Sequence, residues 1–329
     1  MRRLAVIGGG SWGTALAIVL APKFERVSLW VYEPDLAARM ASTRINDLYL
    51  PSAALPANVI PGSSLPAVLE DADLVLGVMP SHHARAIYQE IARHAPPDAG
   101  FVSATKGLEQ GTLLRMSEVM RQTLGDVPIG VLSGPTFAKE VARGEPAAIV
   151  IASEDAAFAR SVQRAFAGPS LRLYTNTDPI GVELGAALKN VIAIAAGVCT
   201  GLGLGNNTLA ALITRGLAEI TRLAAAAGGQ ARTLAGLAGL GDLVLTCNGE
   251  LSRNRAVGIE LGKGKNINEI LNGMRMVAEG VKTTAAAVEL AARHGVEMPI
   301  ARQMFAILRE GRSPREAVRE LMDRQLKEE

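Results

Sequence analysis

The stretch that decides the fold is RLAVIGGGSWGTALAIVL, residues 3–20. It opens with Arg3 to Ile7, an arginine followed by four apolar residues, which reads as a strand. It closes with Trp12 to Leu20, which has helical composition. Between them, Gly8-Gly9-Gly10-Ser11-Trp12-Gly13 forms a GxGxxG pattern in the context that gives this pattern meaning, directly after a strand and directly before a helix. Gly8 permits the tight turn, Gly10 lets a pyrophosphate approach the backbone, and Gly13 allows the helix to pack close to the strand. The N–H groups at the helix start, near Ser11 and Trp12, can hold phosphate charge. A leading pair of arginines before an apolar run also suggests a signal peptide. The glycines interrupt that run, and the strand–turn–helix reading is preferred.

Working outward, Val27–Val31 reads as the next strand. Glu33 lies at its end, 20 residues after Gly13. A carboxylate there can accept hydrogen bonds from a ribose 2′-hydroxyl and repel a 2′-phosphate, which favours NAD. Tyr32 or Arg39 could accommodate the phosphate of NADP, so both cofactors stay open. Further apolar runs at Leu74–Met79, Phe101–Ala104, Ile129–Leu132 and Ala148–Ile151 lie near helix-like segments such as Arg85–His94, Leu113–Leu124 and Ala156–Ala167. Strands this apolar are covered on both faces, as in a parallel sheet between helical layers. The character changes near Thr175–Pro179. Beyond it we read no strand, and segments 180–196, 208–227, 253–262, 281–294 and 299–308 read as helices, with another starting at Ser313-Pro314. The expected architecture is α/β, a Rossmann-type doubly wound dinucleotide-binding domain at 1–177, followed by an all-helical domain at 178–329.

Composition fits this plan. The 329 residues are 49% hydrophobic and 20% charged, with a net charge of +2. So small a charge gives no argument for nucleic acid or a membrane surface, and at 4% aromatics base-stacking platforms are not expected. The apolar run Ala186–Gly205 approaches the length of a membrane span, but Lys189, Asn190 and several glycines make a buried core helix the better reading. Cys199 and Cys247 show no CxxC or Cys/His spacing, so neither a disulfide framework nor a metal site is expected. They suit a reducing cytoplasm.

Ligands of an open parallel sheet gather at the carboxyl ends of its strands. Lys106, following Phe101–Ala104, is placed there, although a solvent-facing lysine would look the same. His82 and His83 follow another strand end and read as loop residues. Lys189 is more informative. Inside GAALKNVIAIAA (185–196), a lysine is unfavourable unless paired or neutral. A buried amine driven towards neutrality can act as a general base, while a lysine at a helix edge could instead extend its head to water. Asp242, in the turn GLGDL (239–243), could orient Lys189, hold a substrate hydroxyl, or simply cap a helix. Ser252-Arg253-Asn254-Arg255 opens a helical stretch. Ser252 can cap it, and a guanidinium beside free N–H groups makes a phosphate site or an ordinary capped surface helix.

Taken together, GGGSWGTALA (8–17), SATKGLE (103–109), SGPTFAKEVARG (133–144), ELGAALKNVIAIAAGV (183–198), GLAGLGDLVLTC (236–247), SRNRAVG (252–258) and VAEGVKTT (277–284) resemble the NAD(P)-dependent glycerol-3-phosphate dehydrogenase family. They occur in the family's order along nearly the whole chain, and GPTFAKE and SRNR are far more specific than the glycine pattern. The resemblance implies an oxidoreductase that interconverts glycerol 3-phosphate and dihydroxyacetone phosphate with NAD or NADP. It implies that Lys189 exchanges the proton, that Lys106 meets substrate and cofactor, and that Gly134 and Thr136 line the substrate pocket. Asp242, Ser252, Arg253 and Asn254 would complete that pocket, with Arg253 also near the cofactor. Ser11, Trp12, Ala138, Val277 and Glu279 would touch the dinucleotide. It also implies homodimers formed through the helical domain and a supply of glycerol phosphate for phospholipids. A β-hydroxyacid dehydrogenase of the 6-phosphogluconate type shares this two-domain plan and a helix lysine, but GPTFAKE and SRNR argue against it. A non-catalytic nicotinamide sensor would not need Lys106, Lys189 and Asp242 together.

Overall fold

The computed structural model describes residues 1–273 and 278–326. The chain divides into two compact units, Met1–Glu183 and Leu184–Glu329.

In the first unit, ten strands are described: β1 Arg3–Ile7, β2 Arg26–Trp30, β3 Ile45–Asn46, β4 Leu50–Ala54, β5 Val59–Gly62, β6 Leu74–Gly77, β7 Gly100–Ser103, β8 Ile129–Ser133, β9 Ala147–Ala152 and β10 Leu171–Asn176. Eight form one sheet in the order β10-β9-β8-β7-β6-β1-β2-β5, while β3 and β4 make a separate antiparallel pair. β1 lies centrally, in parallel register with β2 (Leu4 opposite Val27) and β6 (Leu4 opposite Leu74). Its alternate residues enter two cores. Leu4 and Val6 join Val27, Leu29, Leu74 and Leu76 on one face, and Ala5 and Ile7 join Val75 and Phe101 on the other. A strand apolar on both sides is therefore the physical consequence of a helical layer on each face.

The Rossmann-type, doubly wound architecture read from the sequence is present, and the expected parallel pairing holds for the strands from β5 to β8. It needs correction beyond them, because β9 runs antiparallel to β8 and β10 then pairs parallel to β9. An apolar run buried on both faces carries no sign of its direction, so pattern alone could not reveal the reversal. β10, a strand that the sequence reading does not include, is an edge strand that exposes Arg172 and Tyr174.

In the second unit the described residues form helices and no strand. The helix Pro179–Gly201 is 23 residues long and apolar enough to cross a membrane, yet its most apolar 18-residue stretch is entirely buried. Its first turn belongs to the first unit and the rest to the second. The helix Arg253–Gly262 crosses it in backbone contact. A Cβ at Gly258 would lie 2.0 Å from the Ile194 carbonyl oxygen, and one at Gly197 would lie 2.1 Å from that of Arg255. Glycines four apart on both helices, 197 and 201 against 258 and 262, permit this approach.

Glu219, on the helix Asn206–Ala226, is buried and accepts N–H bonds from Ile300 (2.7 Å) and Ala301 (3.3 Å), capping the helix Pro299–Arg309 from outside. Burial pushes its carboxyl from 4.5 up to about 7, against the opposing pull of those N–H groups, Arg222 and Arg324. The native state thus holds this proton more tightly than the unfolded chain does. The stabilisation is complete below the unfolded value and is lost as pH rises through about 7. The melting temperature of Glu219→Gln, set against wild type from about pH 5 to about pH 8, should lack this downward component. Superimposable pH profiles would show that Glu219 titrates like a solvated acid.

Candidate active site

The glycine turn in the first unit is built by close packing. Gly8 has φ +132°, and a Cβ there would lie 2.3 Å from the Val78 carbonyl oxygen. A Cβ at Gly13 would lie 1.9 Å from that of Gly8. At Gly10, by contrast, a Cβ would meet nothing within 4 Å. One side of the turn is closed by protein and the other is open for a ligand. The helix Ser11–Leu20 starts at this opening with Gly10 as its N-cap and no side-chain cap, so its first N–H groups are presented to an anion. The indole Nε1 of Trp12 is buried with no hydrogen-bond partner among the described residues. These features fit the pyrophosphate of a dinucleotide.

Two residues missed in the sequence buttress this turn. Asn46, fully buried, donates to the Gly9 carbonyl and to Thr14 Oγ1, both at 2.8 Å. Tyr49 donates its hydroxyl to Glu33 Oε1 at 2.8 Å. The available signal was only that Asn46-Asp47 is a turn-favouring pair. Tyr32 is largely exposed, its ring edge-on to Trp30. At the end of β7, Lys106 donates from Nζ to the Gly134 carbonyl at 3.2 Å, and Thr136 Oγ1 donates to the same oxygen at 3.3 Å. The sequence-selected Lys106, Gly134 and Thr136 are therefore brought together. Ala138 begins the short helix Ala138–Ala142, which packs against Ser11–Leu20. His82 and His83 lie in a short turn with their rings 4.0 Å apart.

In the second unit, Lys189 is 5% exposed and Asp242 fully buried. Lys189 Nζ lies 2.6 Å from Asp242 Oδ1 and 2.6 Å from Thr246 Oγ1. The Thr246 hydroxyl directs its own proton to the Asp242 main-chain carbonyl at 2.6 Å, which leaves its oxygen to accept from the lysine. Sequence reasoning offered two ways to tolerate this lysine, pairing or neutrality, and built its general base on neutrality. The structure supplies the pairing. Asp242 is not a helix cap, because Gly241 holds that position and the carboxylate faces Lys189. Thr246 was overlooked, although its spacing of four from Asp242 along a helix places both on one face.

Ser252 caps the helix Arg253–Gly262 by accepting from the Arg255 N–H at 3.2 Å, which puts Arg253 and Asn254 in the first turn. Arg253 is exposed as a residue, but surrounding protein lowers the pKa of its guanidinium by desolvation, and the Glu279 carboxylate acts in the opposite sense. Asn254 has its side chain engaged within the protein. Its Nδ2 donates to Asn190 Oδ1 and its Oδ1 accepts from the Gly280 N–H, both at 2.9 Å. It thus ties the lysine-bearing helix to the start of Glu279–Arg293, and its main-chain N–H remains at the helix terminus. Val277 lies outside the described residues.

Comparison with known proteins agrees with these features. Family models described as the N-terminus and the C-terminus of NAD-dependent glycerol-3-phosphate dehydrogenase match residues 3–159 and 178–319. The glycerol-3-phosphate dehydrogenase (NAD(P)+) of Koribacter versatilis is 58% identical over 329 residues, covering 98% of each chain. That of Acidobacterium capsulatum is 53% identical, again over 98% of each. A crystal structure of glycerol-3-phosphate dehydrogenase from Coxiella burnetii superimposes with a TM-score of 0.94 at 41% identity, covering 98% of this chain and 99% of that one. The resemblance carried by GPTFAKE and SRNR is borne out, and the chain belongs to the NAD-dependent glycerol-3-phosphate dehydrogenase family.

Proposed function

We propose that this chain interconverts sn-glycerol 3-phosphate and dihydroxyacetone phosphate, with Lys189 as the proton donor and acceptor. The observation that carries this reading is the buried cluster of Lys189, Asp242 and Thr246 in a chain of this family. NAD or NADP, when bound, accepts or supplies the hydride at C2. The glycine turn, Ser11, Trp12 and Glu33 hold the dinucleotide, with Lys106, Ala138, Arg253 and Glu279 contributing. The substrate phosphate lies on the Arg253 guanidinium and the first N–H groups of its helix, where charge and helix dipole act together.

In reduction, Lys189 gives its proton to the C2 oxygen as negative charge develops there. Asp242 and Thr246 fix the direction of Nζ, and Lys106 adds positive charge nearby. In oxidation, Lys189 takes the C2 hydroxyl proton, and the ammonium so formed is stabilised by Asp242. A role in supplying glycerol 3-phosphate for phospholipid synthesis rests on the family resemblance. Homodimerisation through the helical unit rests on that resemblance, and a cytoplasmic location on two free, buried thiols that suit a reducing compartment.

Lys189→Ala should lower kcat by roughly 10²–10⁴-fold in an absorbance assay with dihydroxyacetone phosphate, while NADH binding persists. Near-wild-type turnover would remove Lys189 from the chemistry. Arg253→Ala should raise the KM for dihydroxyacetone phosphate by about 10- to 100-fold, the value of a charged hydrogen bond, and erase the preference over phosphate-free dihydroxyacetone. A wild-type enzyme that uses both compounds equally would show that the phosphate site is misplaced.

A further inference from the structure

Glu33 ends the run that follows β2 and is half-buried at the start of the helix Pro34–Thr43. Its Oε1 receives the Tyr49 hydroxyl at 2.8 Å, and Tyr49 is itself fixed because its N–H donates to Asn46 Oδ1 at 3.0 Å. Asn46 in turn is bonded to the glycine turn at Gly9 and Thr14. One short segment, residues 46–49, therefore clamps both the phosphate-binding turn and the carboxylate 20 residues beyond it. An ionised carboxylate is an acceptor only. With Oε1 held by Tyr49, Oε2 keeps a fixed direction in which to receive a hydroxyl.

A 2′-phosphate needs a cation instead. From Trp30 to Gly62 the chain offers two, Arg39 and Arg44. Arg39 forms a bidentate pair with Asp47, its Nε and Nη2 lying 3.0 and 3.1 Å from the two carboxylate oxygens. Arg44 directs Nη2 to the main-chain carbonyls of Leu55, Pro56 and Val59. The same stretch carries three acids, Glu33, Asp35 and Asp47. The Arg39 pair is exposed, and such pairs open readily, so it is the excess of acids that dominates. Freeing Arg39 would leave Asp47 uncompensated beside the incoming dianion.

We propose that Tyr49 is a positioning residue that presets Glu33 for the ribose diol, and that the acids around the Asp47-held Arg39 turn away a 2′-phosphate, so that the enzyme selects NADH over NADPH. This rests on the dehydrogenase reading above for the reaction, but not for nucleotide binding. Fluorescence titration with NADH and NADPH in the absence of substrate, run beside steady-state reduction of dihydroxyacetone phosphate, separates the two.

NADH should bind at least about tenfold more tightly than NADPH, because one nucleotide makes a charge-assisted hydrogen bond where the other meets repulsion. Tyr49→Phe should raise the KM for NADH about three- to tenfold, with kcat within about twofold and the KM for NADPH little changed. Asp47→Asn should lower the KM for NADPH several-fold by releasing Arg39. Equal binding of the two cofactors by wild type would overturn the proposal. So would a Tyr49→Phe protein weakened equally towards both, the mark of a merely structural tyrosine. Discrimination between the nucleotides without turnover of dihydroxyacetone phosphate would uphold the proposal and defeat the reaction.

Discussion

A lysine deep in an apolar helix is tolerated only because something answers its charge. In this protein Asp242 answers it across 2.6 Å, and Thr246 satisfies a second N–H at the same distance. The arrangement is demanding. Removing one partner of such a pair typically costs about 3–5 kcal/mol, because the survivor is left buried and uncompensated. The surrounding structure serves this pair. The hydroxyl of Thr246 is oriented by the main chain one turn earlier, and the segment Leu237–Gly241 delivers Asp242 to the first turn of its helix. The neighbouring residue Asn190 is bound by Asn254, whose own helix approaches through the glycine contacts at 197 and 258. A single larger residue at either glycine would displace the helix that carries Arg253.

The first unit solves a different problem by similar means. A pyrophosphate must come close to main-chain N–H groups, so side chains have to be absent on one side and packing complete on the other. Gly8 and Gly13 meet protein backbone where a Cβ would stand, whereas Gly10 faces open space. Asn46 holds the turn from behind with two short bonds. The strand–turn–helix unit is thus closely packed except at Gly10, where the proposed dinucleotide would approach, so that little binding energy would be spent on ordering the site.

Much of this was legible in the sequence, for identifiable reasons. β1 and the glycine turn declare themselves because each glycine answers a local steric requirement. Lys189 stands out because a cation in a run of apolar residues breaks the pattern. Lys106, in SATKGLE, and Arg253 and Asn254, in SRNR, became specific only through the family resemblance. What stayed hidden depended on partners distant in the chain. Nothing near Thr246 announces a lysine 57 positions away. The short β3–β4 pair has little apolar patterning, so nothing local singles out Asn46 or Tyr49. The direction of β9 cannot be read from a strand buried on both faces, and only tertiary pairing reveals that Lys189 lies against the side chain of Asp242.

The central claim is that the Asp242-held amine of Lys189 serves the carbon that exchanges hydride. The most direct measurement is a crystal structure of the protein with dihydroxyacetone phosphate and an unreactive dinucleotide. The account predicts Lys189 Nζ within about 3 Å of the C2 oxygen, still bonded to Asp242 and Thr246, with the phosphate on Arg253. A substrate bound elsewhere, or with C2 beyond hydrogen-bond reach of Nζ, would contradict it.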